Sequence, residues 1–185
     1  MFPGEPSKIA SVPPAAHQRP PGQVDLYVLA GERSIDLALA FIDRWTPGLR
    51  EVKSSYEFPQ FSADPSSVYF AARELAAQLV VAPHHEYAIY WTIPPHSQAS
   101  TQQPPAFLGA MLFFNRDASM VAGLSFAEGD RTRLVRYLEE LAADLNSQYG
   151  YCLPESPPAG NAALFRTLSA APHVPRLHRG RIHLS

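Results

Sequence analysis

FLGAMLFFNRDASMVAGLSF, residues 107–126, determines the fold class of this chain. Two apolar runs flank a short polar segment around Asn115, Arg116 and Asp117, which is the pattern of a β-hairpin. Gly109 and Gly123 leave small gaps on the predicted sheet and indicate a bulge or the close approach of a neighbour. The hairpin therefore predicts an antiparallel sheet at the centre of the fold.

Further strands are predicted on both sides of this hairpin. VDLYVLA (24–30) alternates apolar and polar residues, as in a half-buried strand. EYAIYWTI (86–93) is apolar or aromatic on both faces, which is typical of a central strand. REVKSSYEF (50–58) predicts a second strand or an extended arm, and YCL (151–153) predicts a short edge strand.

Capping residues indicate where the first two helices begin and end. Ser34 predicts the N-cap of a helix that ends near Trp45. Asp64 followed by Pro65 predicts the start of a second helix, which Pro83 ends. Both segments carry apolar residues along one side, so we expect both helices to pack on the sheet.

The third predicted helix is the most amphipathic. It opens at Gly129 and Asp130, and Tyr149 with Gly150 predicts its C-terminal cap. Its apolar side consists of Leu134, Leu138, Leu141 and Leu145. Asn161 predicts the start of a short last helix. Together these elements predict an α+β fold, with a mainly antiparallel sheet of about four to six strands and about three to four helices packed against it.

The 185 residues suit one domain with a peripheral segment at each end. Residues 1–22 contain six prolines and favour an extended or flexible leader. Residues 23–171 are predicted to form the single domain. For the basic tail, 172–185, the alternatives are a strand through Ile182 and Leu184, contact with an acidic surface, and a flexible end, which we favour.

Charge is unevenly distributed along the chain. Of 17 acidic and 15 basic residues, Glu5 and five bases lie outside 23–171, which leaves 16 acids against 10 bases in that body. The five bases are Lys8, Arg19, Arg176, Arg179 and Arg181. Nucleic-acid binding requires a clustered basic face, so the acidic body argues against it. An acidic surface instead suits a basic macromolecular partner.

Cysteine usage and hydropathy indicate the compartment. Cys152 is the single cysteine, which fits a reducing environment and predicts packing in the core or at a strand edge. The N-terminal segment lacks the uninterrupted apolar run of a secretory signal. No run of about 18 apolar residues is present to span a membrane. We therefore expect a cytoplasmic protein that does not insert into a membrane.

His84, His85 and Glu86 are the strongest candidates for catalytic or metal chemistry. Adjacent side chains of a strand point to opposite faces, so His84 and His85 would bind one ion only from an irregular loop. We interpret the three residues as the polar entrance of the strand that follows. A small metal-dependent hydrolase built on them is the alternative hypothesis.

No other segment carries a recognised catalytic motif. Glu139 and Glu140 are adjacent carboxylates on the exposed side of a predicted helix, where solvation explains them. GLSFAEG (123–129) places Ser125 inside a strand, and neither a phosphate-binding glycine loop nor a dinucleotide fingerprint is present. We expect no catalytic residues, no metal ligands and no cofactor, hence a protein that is not an enzyme. A non-catalytic adaptor module is a further alternative.

Three segments carry a resemblance to a known class of proteins: EYAIYW, GAMLFFNRDASMVAGLSF and LEELAADLNSQYGYCLPESPP. Over about 24–168 the chain resembles small bacterial immunity proteins that neutralise polymorphic or contact-dependent toxins. Trp91, Tyr149, Gly150 and Tyr151 are the positions that match the pattern. The resemblance implies a non-enzymatic inhibitor that binds a cognate protein toxin stoichiometrically and occludes it.

Residue type and predicted exposure indicate which side chains would contact such a toxin. For charge contacts with a basic toxin we predict Glu57, Glu86, Glu128 and Asp130. For aromatic anchors we predict Tyr56, Tyr90, Tyr149 and Tyr151.

Overall fold

The structure is a computed structural model, and it describes residues 22–59, 68–94, 107–127, 131–154, 156–171 and 176–183. Four helices lie in these ranges: α1 (Ile35–Trp45), α2 (Ala72–Val81), α3 (Arg131–Asp144) and α4 (Ala162–Ser169). The first strands are β1 (Gln23–Leu29), β2 (Arg50–Glu51), β3 (Tyr56–Phe58), β4 (Val68–Phe70) and β5 (Tyr87–Thr92). The others are β6 (Gly109–Phe114), β7 (Met120–Ala127), β8 (Tyr149–Pro154), β9 (Arg176–His178) and β10 (Arg181–His183). None of the described helices is long and apolar enough to cross a membrane.

The sheet is antiparallel and larger than predicted. Eight strands pair in the order β10-β9-β8-β1-β7-β6-β5-β2, and β3 with β4 forms a separate two-stranded sheet. The α+β class and the helix number are confirmed, but the prediction of four to six strands was wrong. Very short strands account for the difference, because two or three residues are too few to show an alternating pattern.

The hairpin that determines the fold class is confirmed. β6 and β7 pair from Gly109 opposite Ser125 to Phe114 opposite Met120. The turn is closed by the amide of Asn115, which donates to the carbonyl of Ser119 at 2.9 Å. The expected close approaches are also present: a Cβ on Gly123 would lie 2.7 Å from the ring of Tyr27.

Two predicted strands occupy other positions than expected. β8 is not an edge strand, because β1 pairs with it on one side and β9 on the other. β5 is not central, because only β2 lies beyond it. The basic segment after residue 171 contributes β9 and β10. For residues 176–183, the alternative of an added strand is therefore correct and the favoured flexible end is not.

The N-caps predicted for two helices are confirmed. The amide of Leu37 donates to the hydroxyl of Ser34 at 3.4 Å, and that of Leu164 donates to Asn161 Oδ1 at 2.8 Å. The early start of α2 was wrong: residues 68–70 are strand β4, and the helix begins after Ala71. The residues predicted to start α2 and α3, namely Asp64, Pro65, Gly129 and Asp130, lie outside the described ranges.

The C-terminal cap predicted for α3 was also wrong. Tyr149 and Gly150 are the first residues of β8. The helix ends instead at Asp144, and Asn146 adopts a left-handed conformation with φ 49°. The amide of Ser147 then donates to the carbonyl of Ala142 at 2.8 Å, which closes the last helical turn.

The sheet is covered on both faces. The larger apolar cluster lies between the sheet and α1, α2 and α3, and it includes the buried leucines predicted for α3. The smaller cluster lies on the opposite face, where Phe165 of α4 packs on Tyr27 and Tyr151. On this face α4 contacts β8 and β9.

Candidate functional site

A cleft at the β5 end of the sheet brings together several of the predicted contact residues. Its volume is about 330 Å³. It is lined by Val52, Lys53, Tyr56, Glu86, Tyr87, Ala88, Tyr90, Phe113, Phe114 and Asn115. Tyr56, Glu86 and Tyr90 are among the eight predicted contact residues, and Glu57 follows Tyr56 in β3. We call this feature the β5 cleft.

The β5 cleft exists because the outer strand of the sheet is short. β2 contributes only Arg50 and Glu51, which pair with Thr92 and Trp91 of β5. One more ladder bond follows, from the amide of Val52 to the carbonyl of Tyr90 at 2.9 Å. The chain then bends over residues 52–54 and returns as β3, which belongs to the two-stranded sheet. Within the described ranges, therefore, no strand pairs with the outer edge of the first half of β5.

Tyr56 forms part of the wall of the β5 cleft and is a core residue. It is only 2% exposed, and its ring meets that of Tyr87 edge to face at 6.0 Å between centroids. The hydroxyl lies near the backbone of Lys53 and of Tyr90, but it forms no hydrogen bond of acceptable geometry with any described residue. Burial, and next the charge of Glu51, raises the pKa of Tyr56 to about 12.

Carboxylates set the electrostatic character of the cleft. The carboxylate of Glu51 acts on Tyr56. The pKa of Tyr87 is raised by burial and, to a smaller extent, by the charge of Glu57. Glu86 pairs with Arg116 at 3.1 Å, but both side chains are more than half exposed, so the pair is screened by solvent. Both buried tyrosines of the cleft therefore lie in a negative field and remain protonated at neutral pH.

His84 and His85 follow α2 in a short turn and do not converge with Glu86. The amide of His85 donates to the carbonyl of Ala82 at 3.1 Å, and its ring packs on that of Phe58 at 4.9 Å. Glu86 points to Arg116. Within the described ranges, no three His, Cys, Asp or Glu side chains are grouped so that they could hold a metal ion.

Arg33 holds the turn that leads into β5. Its guanidinium donates to the carbonyl oxygens of Pro83 at 3.0 Å and of Asn115 at 2.8 Å. It also lies over the ring of Phe114, at 5.0 Å from the centroid. Because Asn115 and Phe114 line the β5 cleft, Arg33 fixes one end of it.

The remaining predicted contact residues lie elsewhere. Tyr151 is 0% exposed and its hydroxyl accepts from the amide of Ala159, so its predicted exposure was wrong, as it was for Tyr56. Tyr149 lies on β8, at the far side of the sheet, with its ring 5.6 Å from that of His178. Glu128 and Asp130 lie outside the described residues.

Sequence reasoning missed several residues of the β5 cleft. Val52, Ala88 and Phe113 belong to strands or bends that are distant in the sequence, and each has an ordinary apolar side chain. One signal is present in the alternation of β5, which places Ala88, Tyr90 and Thr92 on one face. That face is half-buried in the structure, whereas Tyr87, Ile89 and Trp91 are buried.

Cys152 is confirmed as a packing residue. It is 3% exposed, within β8, and burial raises the pKa of its thiol to about 12. The reactive form of cysteine is the thiolate, which is scarce at neutral pH for a group with this pKa.

The comparisons with known proteins give a distant likeness in fold. No protein-family model matches the chain, and no curated protein matches it. Among solved structures, it is similar to a chain in the crystal structure of the toxic C-terminal tip of CdiA from Pseudomonas aeruginosa in complex with immune protein. The identity is 12%, the match covers 72% of this chain and 86% of that chain, and the TM-score is 0.43. At this TM-score the likeness carries no functional inference.

Proposed function

We propose that this chain is an immunity protein, which binds a cognate bacterial toxin in the cytoplasm and neutralises it by stoichiometric occlusion. The observation that carries the proposal is the β5 cleft. There Glu86 and Tyr90, which were predicted as toxin contacts from residue type, come together at a sheet edge, with the buried Tyr56 forming part of the wall. Aromatic side chains beside charged groups are the composition in which protein interfaces concentrate their binding energy.

The resemblance to immunity proteins supports the same proposal. EYAIYW, GAMLFFNRDASMVAGLSF and the end of LEELAADLNSQYGYCLPESPP supply β5, the β6–β7 hairpin and β8. With β1 these strands form one continuous part of the sheet, β8-β1-β7-β6-β5. The segments that carry the resemblance thus build the scaffold on which the β5 cleft lies.

A non-enzymatic mode of action is part of the proposal. The residues considered for metal chemistry have other contacts: His85 packs on Phe58, and Glu86 pairs with Arg116. The negative field at Tyr56 and Tyr87 suits a basic toxin surface, because charge complementarity speeds encounter and selects partners.

Titration of toxin activity distinguishes occlusion from enzymatic neutralisation. The toxin encoded beside this chain is mixed with increasing amounts of the purified chain, and residual toxic activity is measured after short and long incubation. Occlusion predicts a linear loss of activity that ends at equimolar chain and does not change with incubation time. The same chain, expressed in cells with the toxin, is expected to restore growth.

Two results would contradict the proposal. Loss of all toxic activity at a small fraction of equimolar chain, progressing with time, would indicate catalysis. A toxin that keeps full activity in the presence of excess chain is not its partner. If every toxin encoded beside the chain keeps full activity, the proposal is wrong.

A further inference from the structure

The backbone of β5 has two edges with different partners. The amide of Ile93, just beyond the strand, donates to the carbonyl of Leu108 at 3.3 Å, on the β6 side. On the other side the carbonyl of Tyr90 accepts from the amide of Val52 at 2.9 Å. In an antiparallel ladder, successive residues alternate between the two sides. Odd-numbered residues of β5 therefore bond to β6, and even-numbered residues face the outer edge.

Ala88 is the even-numbered residue of β5 that the outer strand does not reach. Thr92 pairs with Arg50 and Tyr90 bonds to Val52, so the next position opposite Ala88 would be residue 54. At that point the chain has bent away from the edge. Among the described residues, no ladder partner continues the outer side of β5 at Ala88. By the alternation of the ladder, its amide and carbonyl are directed to the outer edge, and Ala88 also lines the β5 cleft.

An open strand edge of this kind is a template for one more extended segment. Main-chain groups of an added strand would continue the ladder that ends at Val52, and its side chains would alternate between the two faces of the sheet. On the cleft side, one of these side chains would meet the ring of Phe113 and the methyl group of Ala88.

Charge indicates which segment fits. Glu51 lies in β2 opposite Trp91 of β5, and Glu57 lies in β3. Their carboxylates act on the two buried tyrosines of the cleft. Lys53 is the one cation among the lining residues, while Arg116 is paired with Glu86. Neither Glu51 nor Glu57 forms an ion pair with a described residue, so two carboxylates against one lysine favour a segment that carries a basic side chain.

We propose that an extended, basic segment of the toxin adds to the sheet at the outer edge of β5, pairing with Ala88. This inference rests on the proposed function and specifies the site through which it acts. The toxin backbone continues the ladder beyond Val52, and its lysine or arginine lies between Glu51 and Glu57. The two-residue length of β2 leaves the room for this segment.

Hydrogen exchange at the Ala88 amide tests strand addition directly, without a substitution. Exchange is measured for the free chain and for its complex with the intact toxin encoded beside it. A ladder bond to the toxin is expected to slow exchange at Ala88 by at least about tenfold. The amide of Ile89 serves as the internal control, because it faces β6 in both states.

Charge reversal tests the basic character of the segment. Glu57→Lys is expected to raise the dissociation constant for the toxin roughly tenfold at low salt, and less at high salt. Glu139→Lys makes the same change in net charge on the exposed side of α3 and is expected to bind as the wild-type chain does. Calorimetric titration at two salt concentrations measures the dissociation constant of each variant.

The possible results distinguish the proposal of strand addition at β5 from the proposal that the chain is an immunity protein. Toxin binding with unchanged exchange at Ala88, or equal effects of Glu57→Lys and Glu139→Lys, overturns the edge proposal and leaves the immunity function intact. Slowed exchange that depends on chain concentration without toxin would mean that a second copy occupies the edge, which also overturns it. Absence of any binding to the toxin overturns both proposals.

Discussion

The guanidinium of Arg33 donates to the carbonyl of Asn115 at 2.8 Å and joins the start of α1 to the turn between β6 and β7. The same group bonds to Pro83, at the entrance of β5. Burial lowers the pKa of Arg33, yet arginine remains charged throughout the range in which proteins fold. One half-buried cation therefore binds carbonyl oxygens from two turns that are distant in the sequence.

Arg33→Met is expected to lower the free energy of unfolding by about 3 kcal/mol, because several carbonyl oxygens lose a charged donor and that of Pro83 is among them. Chemical denaturation of the purified variant measures the change. The matched control is Arg73→Met, which removes an arginine paired with Asp43 on the surface, where both side chains are at least half exposed. It is expected to cost less than about 1 kcal/mol. Equal effects of the two substitutions would contradict the role of Arg33.

Tyr56 and Tyr151 are both buried, but their hydroxyl groups differ. The hydroxyl of Tyr56 has no hydrogen-bond partner among the described residues, whereas that of Tyr151 accepts from the amide of Ala159 at 3.0 Å. Tyr56→Phe is therefore expected to leave the free energy of unfolding unchanged or to raise it by up to about 1 kcal/mol. Tyr151→Phe is expected to lower it by about 2 kcal/mol, since a buried amide loses its acceptor. Thermal and chemical denaturation compare the pair. A loss in Tyr56→Phe as large as that in Tyr151→Phe would mean that the Tyr56 hydroxyl is bonded in solution.

Cys152 makes stability depend on pH above pH 9. The thiol ionises near 9.0 in the unfolded chain and near 12 in the folded chain, so the folded state holds the proton more tightly. This contribution to stability is complete below pH 9 and is lost as the pH rises toward 12, by at most about 1.4 kcal/mol per pH unit. Cys152→Ala lacks the thiol, so the difference in unfolding free energy between wild type and variant is expected to narrow above pH 9. A difference that stays constant across this range would contradict the prediction.

Local patterns predicted the elements that depend on local physics. Ser34 and Asn161 cap helices because a short polar side chain reaches amides in the first turn, and this information lies within four residues. The β6–β7 hairpin is likewise visible, because both strands and their turn are contiguous. Some of the short strands that depend on distant partners were not predicted. Residues 68–70 form strand β4 only because β3 lies beside them, and residues 176–178 form β9 only because β8 does.

The β5 cleft also combines features that the sequence indicated with features that depend on distant parts of the chain. Tyr56, Glu86 and Tyr90 were selected by residue type, and the structure brings them together. The gap at Ala88 had no sequence signal, because it results from the length of β2 and the bend that follows. Burial of Tyr56 was missed for a related reason: its ring packs on that of Tyr87, which follows β4 and α2 in the chain.

Gly123 lies where the backbone of β7 passes closest to Tyr27 of β1. A Cβ at this position would be 2.7 Å from Cδ1 and 2.8 Å from Cε1 of that ring. The ring has no room to move, because Tyr27 is fully buried and its hydroxyl lies within hydrogen-bonding distance of Asp25 and of the carbonyl of Ser156. Gly123→Ala is therefore expected to lower the free energy of unfolding by about 2 kcal/mol. Gly160→Ala is the control, since no described atom lies within 4 Å of its added Cβ, and it is expected to change stability by less than about 0.5 kcal/mol. If both variants unfold at the wild-type denaturant concentration, the contact between β7 and Tyr27 is looser than the structure has it.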